Sequence, residues 1–468
     1  MEAKKLYDTV ISNGYCIGCG ACALMDDSPF KINMDKFGQL VAHAKAEQLD
    51  KNKTKVLDVC PFSDNSKNED ELSELFFPTL ENRNSEIGKY ISCYAGFVKE
   101  GNFRTKGSSG GFAKWIGYQL LKEKKIDFFV QLSSNSTNDS SKLLFDYQIF
   151  QKPKEILQGS KSAYYPTTLV NILKEIKGYS GSFAITAIPC NSKALRLLAL
   201  KDNELKNRLK YIIGVVCGGM KSANYSKLVG WELGIHPNNL AKIDFRQKYD
   251  NRPANEKIYQ VWSNEEETKS KDVSQIYGTG YASGFFKPKA CDYCDDVLAE
   301  TADIAIGDAW LKKYVQDPKG TSILVVRNYD IENVLKKSHK NGQIILDSIN
   351  ADDAATSQRG GLRHRREGLS LRLAKKEKKG EWAPVKRVKA NQFIITNKRK
   401  RIYEIREKIA QKSHVAFLEA IKANKLSVFH RKMDPLILRF AIVNFSELLP
   451  RMPRRFYLYV KSKIKNKI

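Results

Sequence analysis

Between residues 89 and 350, apolar runs of two different periodicities alternate along the chain. YISCYAGFV (90–98), IDFFVQL (126–132), LLFDYQIF (143–150), SFAITAI (182–188), YIIGVV (211–216), IAIG (304–307) and ILVVR (323–327) are short and rich in β-branched and aromatic residues, which predicts strands. FAKWIGYQLLKEK (112–124), LVNILKEIK (169–177), NSKALRLLALK (191–201) and YSKLVGWELG (225–234) space their apolar residues three and four apart, which predicts helices. The alternation predicts an α/β domain whose ligand sites lie at the carboxyl ends of the strands.

The flanks read differently. Residues 1–62 form a small module of Cys-rich turns followed by a hairpin-like stretch, KINMDKFGQLVAH. Residues 63–88 are polar and charged, a linker with a short helix. Residues 351–468 form a basic extension, Arg- and Lys-dense at first, then amphipathic and helical from about 402, with expected interruptions at Pro435, Pro450 and Pro453. A chain of 468 residues exceeds one modest core, so two or three domains are expected.

Charge sharpens this division. From Arg359 onward there are 31 Lys or Arg against 8 Asp or Glu, so residues 359–468 carry +23 of the chain's +27. A basic tail on a near-neutral body predicts an anionic partner or surface. Residues 456–460, flanked by Arg454, Arg455 and Lys461, fit peripheral contact with an anionic membrane or a phosphorylated lipid. No nucleic-acid-reading motif is present, and no nucleic-acid partner is expected. The charged start, MEAKKLYDTV, has no apolar core of a signal peptide, and no run of 18 apolar residues follows. The expected location is the cytoplasm, with peripheral contact at the inner face of the membrane.

Nine cysteines are too sparse for a disulfide scaffold. Cys16, Cys19 and Cys22 read C-x2-C-x2-C, and Cys60 follows at a distance with Pro61 directly behind it. Two-residue gaps let three thiolates wrap one side of a small cluster, and Gly20 suits the tight backbone. These four are expected to hold one [4Fe–4S] cluster, with structural zinc as the alternative. Cys190 and Cys217 stand at strand exits, and Cys291 and Cys294 form a later CxxC. An α/β fold can bring these four together as a second cluster site; the alternative makes Cys190 and Cys217 buried apolar fillers. Cys93, among alternating apolar neighbours, is expected in the core.

Arg104, Lys106, Gly107, Ser108, Ser109, Gly110 and Gly111 precede a predicted helix, so backbone N–H groups and two cations can face phosphate oxygens. The alternative is a plain loop with a helix cap at Ser108 or Ser109. Lys161 in a Gly-Ser-Lys segment, and Gly307-Asp308 at a strand end, are further candidate cofactor contacts, with plain turns as the alternative. No catalytic residue is assigned, and no hydrolytic constellation is visible. A protein joining one-electron clusters to two-electron chemistry needs an organic intermediary stable as a radical, which predicts a flavin.

Taken in order, YCIGCGACALM with Cys60-Pro61, GSSGGF, the GSK segment, IPCN, VVCGG and CDYCDDVLAETADIAIGDAW resemble the beta-subunit family of coenzyme F420 hydrogenase and dehydrogenase, the FrhB-like proteins. They are similar also to 7-hydroxymethyl chlorophyll a reductase and to bacterial members associated with polysaccharide biosynthesis. The chain departs from the family pattern with AIPCN in place of GTPCQ and with glycine in place of histidine after Cys217. The resemblance implies a ferredoxin-like [4Fe–4S] module, an FrhB-like domain binding FAD and the second [4Fe–4S] cluster, and a basic, largely helical C-terminal extension. It implies an oxidoreductase that moves electrons between a ferredoxin-like donor and an organic acceptor. The other readings are a subunit linked to coenzyme F420 as a diffusible substrate and docked on a catalytic partner subunit, a reductase of a glycan-pathway intermediate, and a zinc-stabilised interaction protein.

Overall fold

The computed structural model describes residues 1–51, 53–135 and 143–448, together with side chains for nearly all of them. Its centre is an eight-stranded sheet in the order Ile344–Ser348, Ser92–Val98, Ser322–Val326, Ile304–Asp308, Leu209–Val215, Phe183–Ala187, Phe128–Ser134 and Phe145–Phe150. The strands at 304, 209, 183 and 128 run parallel. The outer strands add antiparallel on both sides. The α/β class expected from the alternation is therefore the observed one, and all seven predicted strands lie in this sheet.

Successive side chains of these strands enter opposite cores, as the two-residue period of a strand requires. Phe128, Val130, Phe183, Ile185, Ile323 and Val325 belong to one core, while Phe129, Ala184, Leu324 and Val326 belong to the other. Burial on both faces is why the strands read as continuous apolar runs. Helices Phe112–Lys122 and Tyr329–Lys340 contribute to the second core, and helix Pro189–Ala199 to the first.

The N-terminal module is not an isolated unit. Its Leu6, Val10, Tyr15 and Phe62 share a core with the sheet. The predicted hairpin is an antiparallel pair, Lys31–Met34 with Leu40–His43. Residues 63–88 contain helix Glu69–Phe76, whose start carries a capping box formed by Asn68 and Glu71. This segment is clamped rather than loose: the fully buried Arg327 donates to Ile87 O and Lys89 O, both at 2.8 Å.

A second, three-stranded antiparallel sheet, Leu240–Gln247, Ile258–Ser263 and Thr268–Asp272, was not legible as strands, because its alternation mixes charged with apolar positions. It shares a core with the helical hairpin Asn397–Ala423 and Leu426–Leu448. Pro435 was expected to interrupt the second helix, yet the helix runs through it. Packing of Phe429, Met433 and Phe440 into that core outweighs the one backbone hydrogen bond that proline removes. Among the described residues no helix is long and apolar enough to cross a membrane. Pro450, Pro453 and the proposed membrane-contact residues 456–460 lie outside the described residues.

Candidate functional site

Cys16, Cys19, Cys22 and Cys60 line one small cavity, closed by Leu6, Val10, Ile17 and Phe62. The loop that carries the first three is shaped by two glycines in the left-handed region, Gly18 (φ +68) and Gly20 (φ +88). A Cβ at Gly20 would stand 2.3 Å from Val170 Cγ2, so the loop is pressed against the main domain. Backbone N–H groups point at the sulfurs: Gly18 N and Ala42 N each donate to Cys16 Sγ at 3.4 Å. Burial, joined by the charge of the neighbouring cysteines, pushes the Cys19 and Cys22 thiols up, and burial raises Cys60 to about 12. Four thiols, two buried and two half-buried, with amide donors around one void suit a cationic iron–sulfur core, which would displace the thiol protons. Among the described residues no group of three or more His, Cys, Asp or Glu is placed to hold a single metal ion.

The second quartet is also brought together. Burial raises the Cys190 thiol, and Cys217, Cys294 and Cys291 add their repulsion. Cys190 is the second residue of helix Pro189–Ala199, and Cys217 follows strand Leu209–Val215. Cys291 lies in the tight turn Lys289–Tyr293, where Met220 N donates to its sulfur at 3.4 Å. Cys19 of the first quartet also acts electrostatically on Cys190, so the two thiol groups are neighbours. Cys93 is buried in strand Ser92–Val98, as expected of a core residue.

A cleft of about 1740 Å³ opens at the carboxyl ends of the parallel strands. Thr186–Ala187, Val215–Cys217 and Ile306–Asp308 form its floor, so Cys217 belongs to both the quartet and the cleft. This volume exceeds that of a usual single-ligand pocket and has room for more than one small molecule. Gly107, Ser108, Ser109, Gly111, Lys161, Gly307 and Asp308 line it; Arg104, Lys106 and Gly110 do not. Arg104 is held away by Asp317 and by Gly320 O. Gly110 is small for a reason inside the protein: a Cβ there would meet Gly96 O at 2.5 Å.

Neither serine caps the following helix. Ser109 Oγ donates to Thr321 O at 2.7 Å, and Ser108 Oγ accepts from Ser162 N at 2.8 Å. Helix Phe112–Lys122 starts at Gly111 (φ +93) without a side-chain cap, which leaves its first N–H groups for a ligand. The Ser108–Ser162 bond ties the glycine loop to the Gly-Ser-Lys segment, where Lys161 pairs with Asp244 at 2.9 Å.

Sequence reading missed Arg246. It sits on strand Leu240–Gln247 and donates to Asp308 at 2.6 Å, to Tyr164 OH at 3.2 Å and to Ser108 O at 3.2 Å. Its only signal was a charged residue between apolar positions. Lys114 and Lys257 also line the cleft, and burial with nearby cations pushes each down to about 8. Cations in surplus at a desolvated wall favour an anionic ligand.

The extension completes the far wall through residues 356–361, Arg363, His364, Arg399 and Arg406. Much of its charge is spent internally. Arg387 grips Glu300 at 2.7 and 2.8 Å and pairs with Asp70 at 3.2 Å. Asp292, between two cysteines of the second quartet, is shared by Lys287, His364 and Arg372. Despite burial, which opposes charge, the Lys287 and Arg372 cations and the His364 hydrogen bond hold its carboxyl well below the usual carboxylate range.

Two family models match the main domain: the N-terminal part of the coenzyme F420 hydrogenase/dehydrogenase beta subunit over residues 93–174, and its C-terminal part over 181–352. Coenzyme F420 hydrogenase subunit beta of Methanococcus voltae is 22% identical over 274 residues, which cover 57% of this chain and 87% of that protein. A chain in the xenon-derivatized F420-reducing [NiFe] hydrogenase complex from Methanosarcina barkeri overlays with a TM-score of 0.48 at 15% identity, over 63% of this chain and 96% of that one. The two family models and the Methanococcus relative define an enzyme of the oxidoreductase class. The chain belongs to the coenzyme F420 hydrogenase/dehydrogenase beta-subunit family. The matches give no support to the chlorophyll reductase or polysaccharide branches of the resemblance.

Proposed function

We propose that the chain is an electron-transfer subunit of an F420-hydrogenase-like system. In this reading Cys16, Cys19, Cys22 and Cys60 hold one [4Fe–4S] cluster, Cys190, Cys217, Cys291 and Cys294 hold a second, and the cleft holds FAD beside an organic two-electron acceptor. The clusters would supply one-electron chemistry and the flavin the exchange between one-electron and hydride transfer. One observation carries it: Cys217 lines the cleft, while Cys190 of the same quartet lies within electrostatic reach of Cys19. The thiol sites therefore form a chain from the N-terminal module to the cleft floor.

The residues divide the work. The uncapped N–H groups at the start of helix Phe112–Lys122 suit the flavin diphosphate. Arg246, fixed by Asp308 and Tyr164, presents a rigid cation beside the glycine loop. The apolar rim of the first thiol site limits the access of water to its sulfurs. The Methanococcus relative is named as a subunit, which favours a docked partner over a free ferredoxin-like donor, and favours coenzyme F420 as the diffusible acceptor.

Anaerobic purification followed by assay of iron, acid-labile sulfide, zinc and flavin tests this. About eight irons, about eight sulfides and about one FAD per chain are expected from two four-iron clusters and one flavin site. Zinc without sulfide or flavin refutes the reading and leaves the zinc-stabilised interaction protein.

A further inference from the structure

The cleft wall formed by the extension carries more positive charge than its carboxylates can balance. Arg363 and Arg406 are both half-buried and both line the cleft. Among the described residues neither makes an ion pair, and the Nε of each is buried without a hydrogen-bond partner. Arg406 shares its surroundings with Lys287, Arg372 and Arg399, and Asp292 is the carboxylate that acts on it. That carboxylate is already taken by Lys287, His364 and Arg372. Around the whole cleft, lysines and arginines outnumber carboxylates nine to three. Burial pushes the Arg406 guanidinium down to about 10, a cost that a bound anion would relieve.

The two elements that carry these arginines are tied together. Tyr403, one turn before Arg406 on helix Asn397–Ala423, donates to Glu367 at 2.8 Å and reaches Arg363 O at 3.5 Å. Ile402, Ile437 and Phe440 line the same wall and offer an apolar surface beside the charge. Residues 363 and 406 lie beyond the region that the family models match, which ends at 352.

We propose that Arg363 and Arg406 form an anion subsite that takes the phosphate group of the organic acceptor, with the apolar residues against its uncharged part. The proposal rests on the reading of the cleft as the place where that acceptor meets the flavin. A phosphate offers enough acceptor oxygens to satisfy two guanidinium forks, which a lone carboxylate does not.

The test uses the full chain as purified anaerobically, with inorganic pyrophosphate as the calorimetric probe. The unsubstituted chain binds it. Arg363→Gln and Arg406→Gln each weaken binding by about 10- to 100-fold, the loss expected for a hydrogen bond to a charged group, with iron and flavin content unchanged. Arg406→Lys keeps the charge but loses the fork. Weakened binding in that variant, at an unchanged melting temperature, supports the subsite even where the glutamine variants fail to fold. No binding by the unsubstituted chain, or unchanged binding in Arg406→Lys and the folded glutamine variants, overturns the proposal. Loss of flavin from folded variants also overturns it, since the arginines would then hold the flavin's own diphosphate. Displacement of pyrophosphate by coenzyme F420 assigns the site to the deazaflavin's phosphodiester; displacement by farnesyl diphosphate alone assigns it to a phosphorylated apolar acceptor. A chain devoid of iron and flavin that still binds pyrophosphate through Arg406 sinks the electron-transfer reading and leaves the subsite standing.

Discussion

The ammonium of Lys386 stands 4.4 Å from the centre of the Phe62 ring, joining the C-terminal extension to the loop that carries Cys60. Trp382 Nε1 and Val385 N bond Asp64 at 3.1 and 2.8 Å, so the strap around Lys386 is fixed at several points. The Lys386 charge favours the thiolates of both Cys60 and Cys294, one from each quartet. Lys386→Met removes a cation shared by the two sites. Faster loss of iron to a chelator from both sites is the expected outcome, followed by the visible absorbance of the anaerobic protein. Loss from one site alone would show that the charge is not shared.

The quartets are expected to be separable by substitution. Cys60→Ser and Cys217→Ser should each remove about half of the iron, because each cluster needs its four thiolates. Cys93→Ala should leave iron unchanged while lowering stability by about 1 kcal/mol, as a small truncation in a core. Iron and sulfide assays beside urea denaturation separate these outcomes.

Gly20 tests how the N-terminal module docks. An alanine there must adopt φ +88 and place its Cβ 2.3 Å from Val170 Cγ2 and 2.8 Å from Thr168 Oγ1. The left-handed penalty and the overpacking together cost about 2–5 kcal/mol. Chemical denaturation of Gly20→Ala should show that loss, whereas Gly360→Ala, with nothing within 4 Å of its Cβ, should melt as the unsubstituted chain does.

His430 makes stability depend on pH. Its hydrogen bond with Glu232 at 2.5 Å raises its pKa above the ordinary 6.5, against an opposing effect of burial. A histidine whose folded pKa is raised contributes stability that is fully present below the unfolded value and is lost as pH rises through the folded one. The stability difference between the unsubstituted chain and Glu232→Gln should therefore be largest near about pH 5.5 and shrink toward about pH 9. A difference that does not change with pH would show that the pair acts through packing alone.

The sheet was legible because burial on both faces makes its strands apolar throughout. Strand Ile344–Ser348 escaped because it is an edge with half-buried residues, and Leu240–Gln247 because charge interrupts its pattern. Spacing singled out Cys16, Cys19, Cys22 and the Cys291–Cys294 pair, whereas grouping Cys190 and Cys217 with that pair also needed their strand-end positions and the family resemblance. Arg246 was invisible for another reason. Its partner Asp308 is 62 residues away, and only the fold makes them neighbours. The basic extension was legible as charge but not as a place. Its density suggested an external anionic surface, yet Arg372 and Arg387 neutralise buried carboxylates and Arg363 and Arg406 face the cleft.

The cleft draws its floor and near sides from residues between 107 and 322 and its far wall from residues between 356 and 444. A ribosome makes the floor and both thiol quartets well before the wall. The site is thus built from distant parts of the chain, and its far wall exists only where helices Asn397–Ala423 and Leu426–Leu448 pack against the three-stranded sheet.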